Sequence, residues 1–233
     1  MLKSTSGLYL PTLKEESDFE RDLLRPPFMG DQMSKEEALS SFQLGLRLEV
    51  GHHDKRGRYI REQSVEGHSI VQQWPTWLTS ALNQTSVQSL KDTSNTLRTL
   101  RLTDGAQDWR SDGAANSATK GILCGTGTTA VTITDYALET AIANGVGAGQ
   151  LQWAADVFAA ISSSGTSRLI TQTRAFTNNS AGAINVTEVA FYAQAADSGS
   201  TQRTFCMCRD LLSFTIGIGA TKTVTYQFTV ALT

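Results

Sequence analysis

From Gly113 to Thr233 the chain is almost without charge and reads as one β-strand after another. These 121 residues hold six basic side chains (Lys120, Arg168, Arg174, Arg203, Arg209 and Lys222) and six acidic ones (Asp135, Glu139, Asp156, Glu188, Asp197 and Asp210). Thr, Ser, Ala, Val and Gly dominate the remainder. β-Branched residues in period-two runs fit a pleated, half-buried surface. A segment with few charges has few groups that must stay in water. The composition therefore suits stacked sheets and large contact surfaces better than an open catalytic cleft, and it points to a structural or assembly protein.

Read in order, the strands are Gly121–Cys124, Gln150–Ser162, Arg168–Phe176, Ile184–Ala193, Phe205–Leu212 and Lys222–Leu232. In the fourth, Ile184, Val186, Glu188, Ala190 and Tyr192 share one face, with Val189 and Phe191 on the other; in the last, Val224, Tyr226, Phe228 and Val230 are in phase. Turns are expected at Asn178–Gly182 and Asp197–Ser200. Six or seven such strands predict a mainly β fold, an antiparallel β-sandwich or jelly-roll-like domain.

The front of the chain differs. Residues 1–42 contain five basic and eight acidic residues together with Pro11, Pro26 and Pro27. Arg25-Pro26-Pro27-Phe28 must run extended, because each proline fixes its own φ and restricts the residue before it. This segment reads as an N-terminal docking arm that gains order on a partner surface, with Leu23, Pro26, Pro27 and Phe28 as its candidate contacts. Residues 43–233 read as the β domain. Leu44, Leu46, Leu48 and Val50 alternate with Arg47 and Glu49 in the first strand of a hairpin over 43–64. Its tip, Lys55 to Arg61, carries four positive charges in seven residues and reads as a solvated turn. Residues 68–83 form the one convincing helix: Ile70, Val71, Trp74, Trp77, Leu78, Ala81 and Leu82 recur at spacings of three and four. Pro75 predicts either a kink or a start near Pro75 with Trp74 before it. Trp74 and Trp77 on one face suit a helix glued to a sheet or an interface anchor. Thr93–Leu102 reads as a strand or a short helix, its threonines favouring the strand, and Asp104–Thr119, which contains Trp109, as a surface loop.

The chemistry that is legible is sparse. Gly125-Thr-Gly127-Thr-Thr-Ala130 has the spacing of a dinucleotide fingerprint after a strand. The fingerprint needs a helix next, to aim its amides at a pyrophosphate. Val131-Thr132-Ile133-Thr134 is β-branched instead, and no acidic residue follows at the required distance. Cys124, Cys206 and Cys208 are too few and too odd in number for a disulfide framework, and read as small buried hydrophobes. All three histidines fall within 52–68. No cofactor, metal site or catalytic constellation is expected. A net charge of −2 gives no bulk attraction to nucleic acid or anionic membrane, and the apolar runs are too short for a leader or a membrane span, so folding in a cytosol is expected.

Three pairs of strings stand out: Leu123-Cys-Gly-Thr-Gly-Thr-Thr129 with Asp135-Tyr-Ala-Leu-Glu139, Arg174-Ala-Phe-Thr-Asn-Asn-Ser180 with Val186-Thr-Glu-Val-Ala-Phe-Tyr192, and Cys208-Arg-Asp-Leu-Leu212 with Thr223-Val-Thr-Tyr226. Together they resemble a family of tailed-bacteriophage virion proteins. The resemblance covers about residues 120–232. It implies a non-enzymatic β-sandwich building block of the particle, in the tail, the neck or on the capsid. Its partners would be copies of itself and other virion proteins. The alternative is a receptor- or glycan-binding module of a phage fibre, with Trp109 as the exposed aromatic it would need. A soluble enzyme is the third reading, and it lacks a constellation.

Overall fold

The computed structural model describes residues 42–67, 70–83, 90–100, 110–165 and 167–232. The arm residues Leu23, Pro26, Pro27 and Phe28 lie outside them, as does Trp109. The described part is mainly β, and its named strand pairings are antiparallel.

Strand β1 (Phe42–His53) turns into β2 (Tyr59–Gly67) as the alternation of its leucines requires. Leu46, Leu48 and Val50 are buried and face inward. β12 (Thr221–Leu232) lies against the other side of β1, placing Phe228, Tyr226 and Val224 opposite those three. β9 (Ser167–Thr177) follows, with Gln172 opposite Tyr226 and Arg174 opposite Val224. Its far edge carries three short pieces, β6 (Gln152–Trp153), β7 (Val157–Phe158) and β8 (Ser162–Ser164). The second sheet has three strands in the order β11 (Gln202–Ile216), β10 (Ile184–Ala196), β5 (Gly121–Gly125).

The sheets meet face to face through aromatic rings. Phe191 of β10 packs edge-on against Tyr226 and Phe228 of β12, at 5.9 and 5.4 Å between ring centroids. The Tyr226 hydroxyl, buried among them, donates to the Asp210 carboxylate of β11 at 2.9 Å. β10 is buried on both faces, because residues 126–142 cover the side turned away from β12. Chain crossings between the sheets are tied at Asn178, which is fully buried. Its Nδ2 donates to Gly182 O and Ile216 O, and its Oδ1 accepts from the Ser180 amide and hydroxyl, so one side chain holds both corner turns.

Several expectations need correction. The helix α1 runs from Gln73 to Asn83, not from 68. Trp74 lies inside it, and Pro75 sits in the first turn, where its missing N–H has no intrahelical partner to lose. Ile70 and Val71 are extended and pair with β11: Ile70 bridges Cys208, and Val71 N–H donates to Met207 O. Edge pairing thus overrides their helical spacing. Gln150–Ser162 is not one strand; its pairing is interrupted at Ala154–Asp156, where the Asp156 amide turns to Gly113 O instead. Within the described part of Thr93–Leu102 lie the short β4 (Leu97–Arg98), paired with β3 (Leu90–Lys91), and a bridge from Leu100 to Asp197. Of the surface loop expected over 104–119, residues 110–119 are described: most are exposed, while Gly113 is buried and Arg110 bridges Gln194 of β10.

One turn recurs three times. In Asp54–Arg58, Asp92–Thr96 and Asp197–Thr201 the leading aspartate accepts the amides of the residues two and four ahead. The residue three ahead (Gly57, Asn95, Ser200) has positive φ. An arginine then closes on the other carboxylate oxygen, Arg58, Arg98 or Arg203. The basic hairpin tip is therefore ordered by Asp54, and Arg58 is neutralised there.

Candidate functional site

The few charges of the β half are the most informative groups in the fold, because several are inside it. Arg174 projects inward from β9 between Gln172 and Phe176, and its side chain is fully buried. Its guanidinium donates to Ala154 O and Ile122 O at 2.9 Å and to Ala114 O and Ser117 O at 3.0 Å. It lies over the Trp153 ring at 5.2 Å. A planar donor with five N–H groups is well shaped to gather carbonyls from several loops. Asp156, equally buried, stands 3.5 Å from Arg174 Nε and accepts from the Ile122 amide and Gln172 Nε2. Burial pushes the Asp156 carboxyl up to about 6, against the pull of those hydrogen bonds and of Arg174. Gly121, at φ +90°, is required here, since a Cβ would overlap the Asp156 carboxylate.

A second cluster locks the loop that follows β5. Glu188 is fully buried on β10 and accepts the amides of Gly127, Glu139 and Thr140 at 2.8–3.0 Å. Arg209 of β11 donates to Glu188 at 2.8 Å, to Asp135 at 2.8 Å and to Thr129 O at 3.1 Å. Burial alone would lower the Arg209 pKa, but its bonds to Glu188 and Asp135 raise it. Glu139 accepts the amides of Thr128 and Thr129 and the Thr129 hydroxyl, and these bonds hold its carboxyl below the usual range. The fingerprint-like loop is thus an anion nest in form, but the anions are the protein's own carboxylates, which occupy the amides a phosphate would need. A shallow recess of about 310 Å³ beside it is lined by Thr129, Asp135, Tyr136, Glu139 and Arg209.

Of the residues singled out as contacts, only Trp74 and Trp77 fall in the described part. Trp74 stacks on Phe228 at 5.2 Å and meets Trp77 edge-on at 6.5 Å. Both line a cavity of about 230 Å³ with Phe158, Ile170, Phe191, Met207 and Val230, apolar except for Ser111. Trp74 thereby packs α1 onto Phe228 of the larger sheet, beside a cavity that Phe191 and Met207 of the smaller sheet also line.

The two buried charge clusters were missed by reading the sequence for known motifs. The available signal was phase: Arg174 alternates with Gln172 and Phe176, and Glu188 with Val186, Ala190 and Tyr192, at positions where a charge must be buried.

Cys124, Cys206 and Cys208 are all buried and free, and burial raises each thiol pKa, so they are inert small hydrophobes. Among the described residues no three His, Cys, Asp or Glu side chains are placed to share a metal ion. Nor is any described helix long and apolar enough to cross a membrane. Comparison with protein-family models, with curated proteins and with solved structures finds no match to the chain.

Proposed function

We propose that this protein is a non-enzymatic structural component of a bacteriophage particle, built into the tail, the neck or the capsid surface in several copies. The observation that carries the reading is where the polar residues of the phage-like strings lie. Arg174, Asn178, Glu188, Arg209, Asp210 and Tyr226 are buried, and each is engaged in holding a loop or a sheet contact, while Asp135 closes on Arg209 and Glu139 on the Thr128 and Thr129 amides from the rim. Such strings would then preserve a scaffold, whereas a catalytic constellation would leave reactive groups facing a cleft. Buried polar networks of this kind specify one arrangement of a β domain, which suits a subunit that must repeat identically. The arm of residues 1–42 would dock onto a neighbouring virion protein, and the localisation would be the particle, after synthesis in the host cytoplasm. The fibre-module alternative depended on Trp109, which is outside the described residues, and no observation here favours it.

Mass spectrometry of purified particles tests the reading. The protein should be present at a fixed, multiple copy number, and deletion of residues 1–42 should abolish incorporation while circular dichroism still reports a folded β domain. Absence from particles overturns the assignment, and incorporation without the arm overturns its docking role.

A further inference from the structure

The two outer edges of the larger sheet are treated differently. β2 is exposed along nearly its whole length and carries Arg61, Glu62 and Glu66, charges that keep an edge strand from pairing with another chain. The opposite edge has no such guard. From Val157 to Gly165 every residue is exposed, and Val157–Ser167 contains neither a charge nor a proline. The inner rim of this stretch pairs with β9. Its outer rim has no backbone partner among the described residues. Val157 is 59% exposed, Phe158 46% and Ile161 69%, and Phe158 also stands at the apolar cavity beside Ile170, itself 38% exposed. Single exposed apolar residues are ordinary; this group lines one uncharged strand edge, with Val157 and Phe158 on its opposite faces, and makes an apolar edge patch.

We propose that this edge is a self-association surface, on which a second copy of the chain pairs antiparallel along Val157–Ser164 about a two-fold axis. Its composition is what selects a second copy as the occupant. A two-fold antiparallel contact sets residue i of the segment against residue j of its copy and j against i, so a charge close to the axis would meet its own like charge in the copy. Eleven consecutive uncharged residues remove that penalty. Antiparallel pairing supplies partners for the outer-rim amides and carbonyls and takes Phe158 and Ile161 out of water. The inference deepens the self-assembly part of the function proposed above, yet its test needs no particle, so the two fail separately.

The test is the mass of the full-length chain by sedimentation equilibrium over a concentration series. The wild type should self-associate, and Ile161→Asp and Phe158→Lys should each weaken association about tenfold or more, since both remove apolar contact at the centre of the patch. Ile133→Asp, at a side chain 63% exposed on the loop after β5, should leave the mass unchanged. A wild-type mass of one chain at every concentration overturns the proposal. So does an assembly indifferent to both edge variants, or one dissociated equally by Ile133→Asp. Near-ultraviolet circular dichroism verifies that each variant keeps its fold.

Discussion

At the scale of single residues, Arg174 and Asp156 carry opposite lessons. Arg174 is a buried cation satisfied mostly by carbonyl oxygens, so removing it strands those carbonyls and leaves Asp156 without its counter-charge. Arg174→Met should therefore lower unfolding stability by about 3–5 kcal/mol in urea titration, and a loss below about 1 kcal/mol would contradict the role given to it. Asp156 has a carboxyl raised by burial to about 6, above its unfolded value of 3.8. The native state then binds the proton more tightly than the unfolded chain, so this group's contribution weakens as pH rises from about 4 through about 6. Carboxylates held low, such as Asp92 and Asp135, act the other way and lose their contribution only at lower pH. Thermal unfolding of wild type and Asp156→Asn between pH 4 and pH 8 separates the two effects. The difference between the proteins should change across pH 4–6 and be flat above it.

At the scale of elements, the aspartate turn is the recurring device. Two of its instances follow the same pattern, Asp92-Thr-Ser-Asn-Thr-Leu-Arg98 and Asp197-Ser-Gly-Ser-Thr-Gln-Arg203, and they lie side by side: Ser198 N–H donates to Thr99 O and Thr93 N–H to Thr204 O. The turn at Asp197 was legible from its Asp, Ser and Gly content. The equivalence of the three turns was not, because Gly57, Asn95 and Ser200 differ in type and share only the sign of φ. Asp92 is nearly buried and accepts three hydrogen bonds, so Asp92→Ala should cost about 1–3 kcal/mol in chemical denaturation and free the Arg98 side chain. Alternation placed β1 and β12 correctly because each has an inward row of period two, and β10, buried on both faces from Glu188 to Ala193, was legible from its apolar and β-branched run. Periodicity failed for Gln150–Ser162, where Asp156 leaves the ladder to reach Gly113, and for Ile70–Val71, whose spacing fits a helix but whose amide and carbonyl groups serve the edge of β11.

At the scale of the whole molecule, the sheets are joined by the contact of Phe191 with Tyr226 and Phe228, continued by Trp74 onto α1. Phe191→Ala removes the ring at the centre of that stack, and should lower stability by about 3–5 kcal/mol in one cooperative transition by both tryptophan fluorescence and far-ultraviolet circular dichroism. Separate transitions would mean that the sheets hold independently. The mainly β class, the positions of the long strands and their inward rows, and the burial of the cysteines were determined by the sequence alone, since all of them follow from local period and side-chain type. Only the tertiary structure decided what the scarce charges do. Arg174 meets Ala114 and Ser117 across 57 to 60 residues of chain, and Arg209 meets Asp135 across 74. A hydrogen bond of that span leaves no periodic trace, because its partners are adjacent only after the sheets have packed.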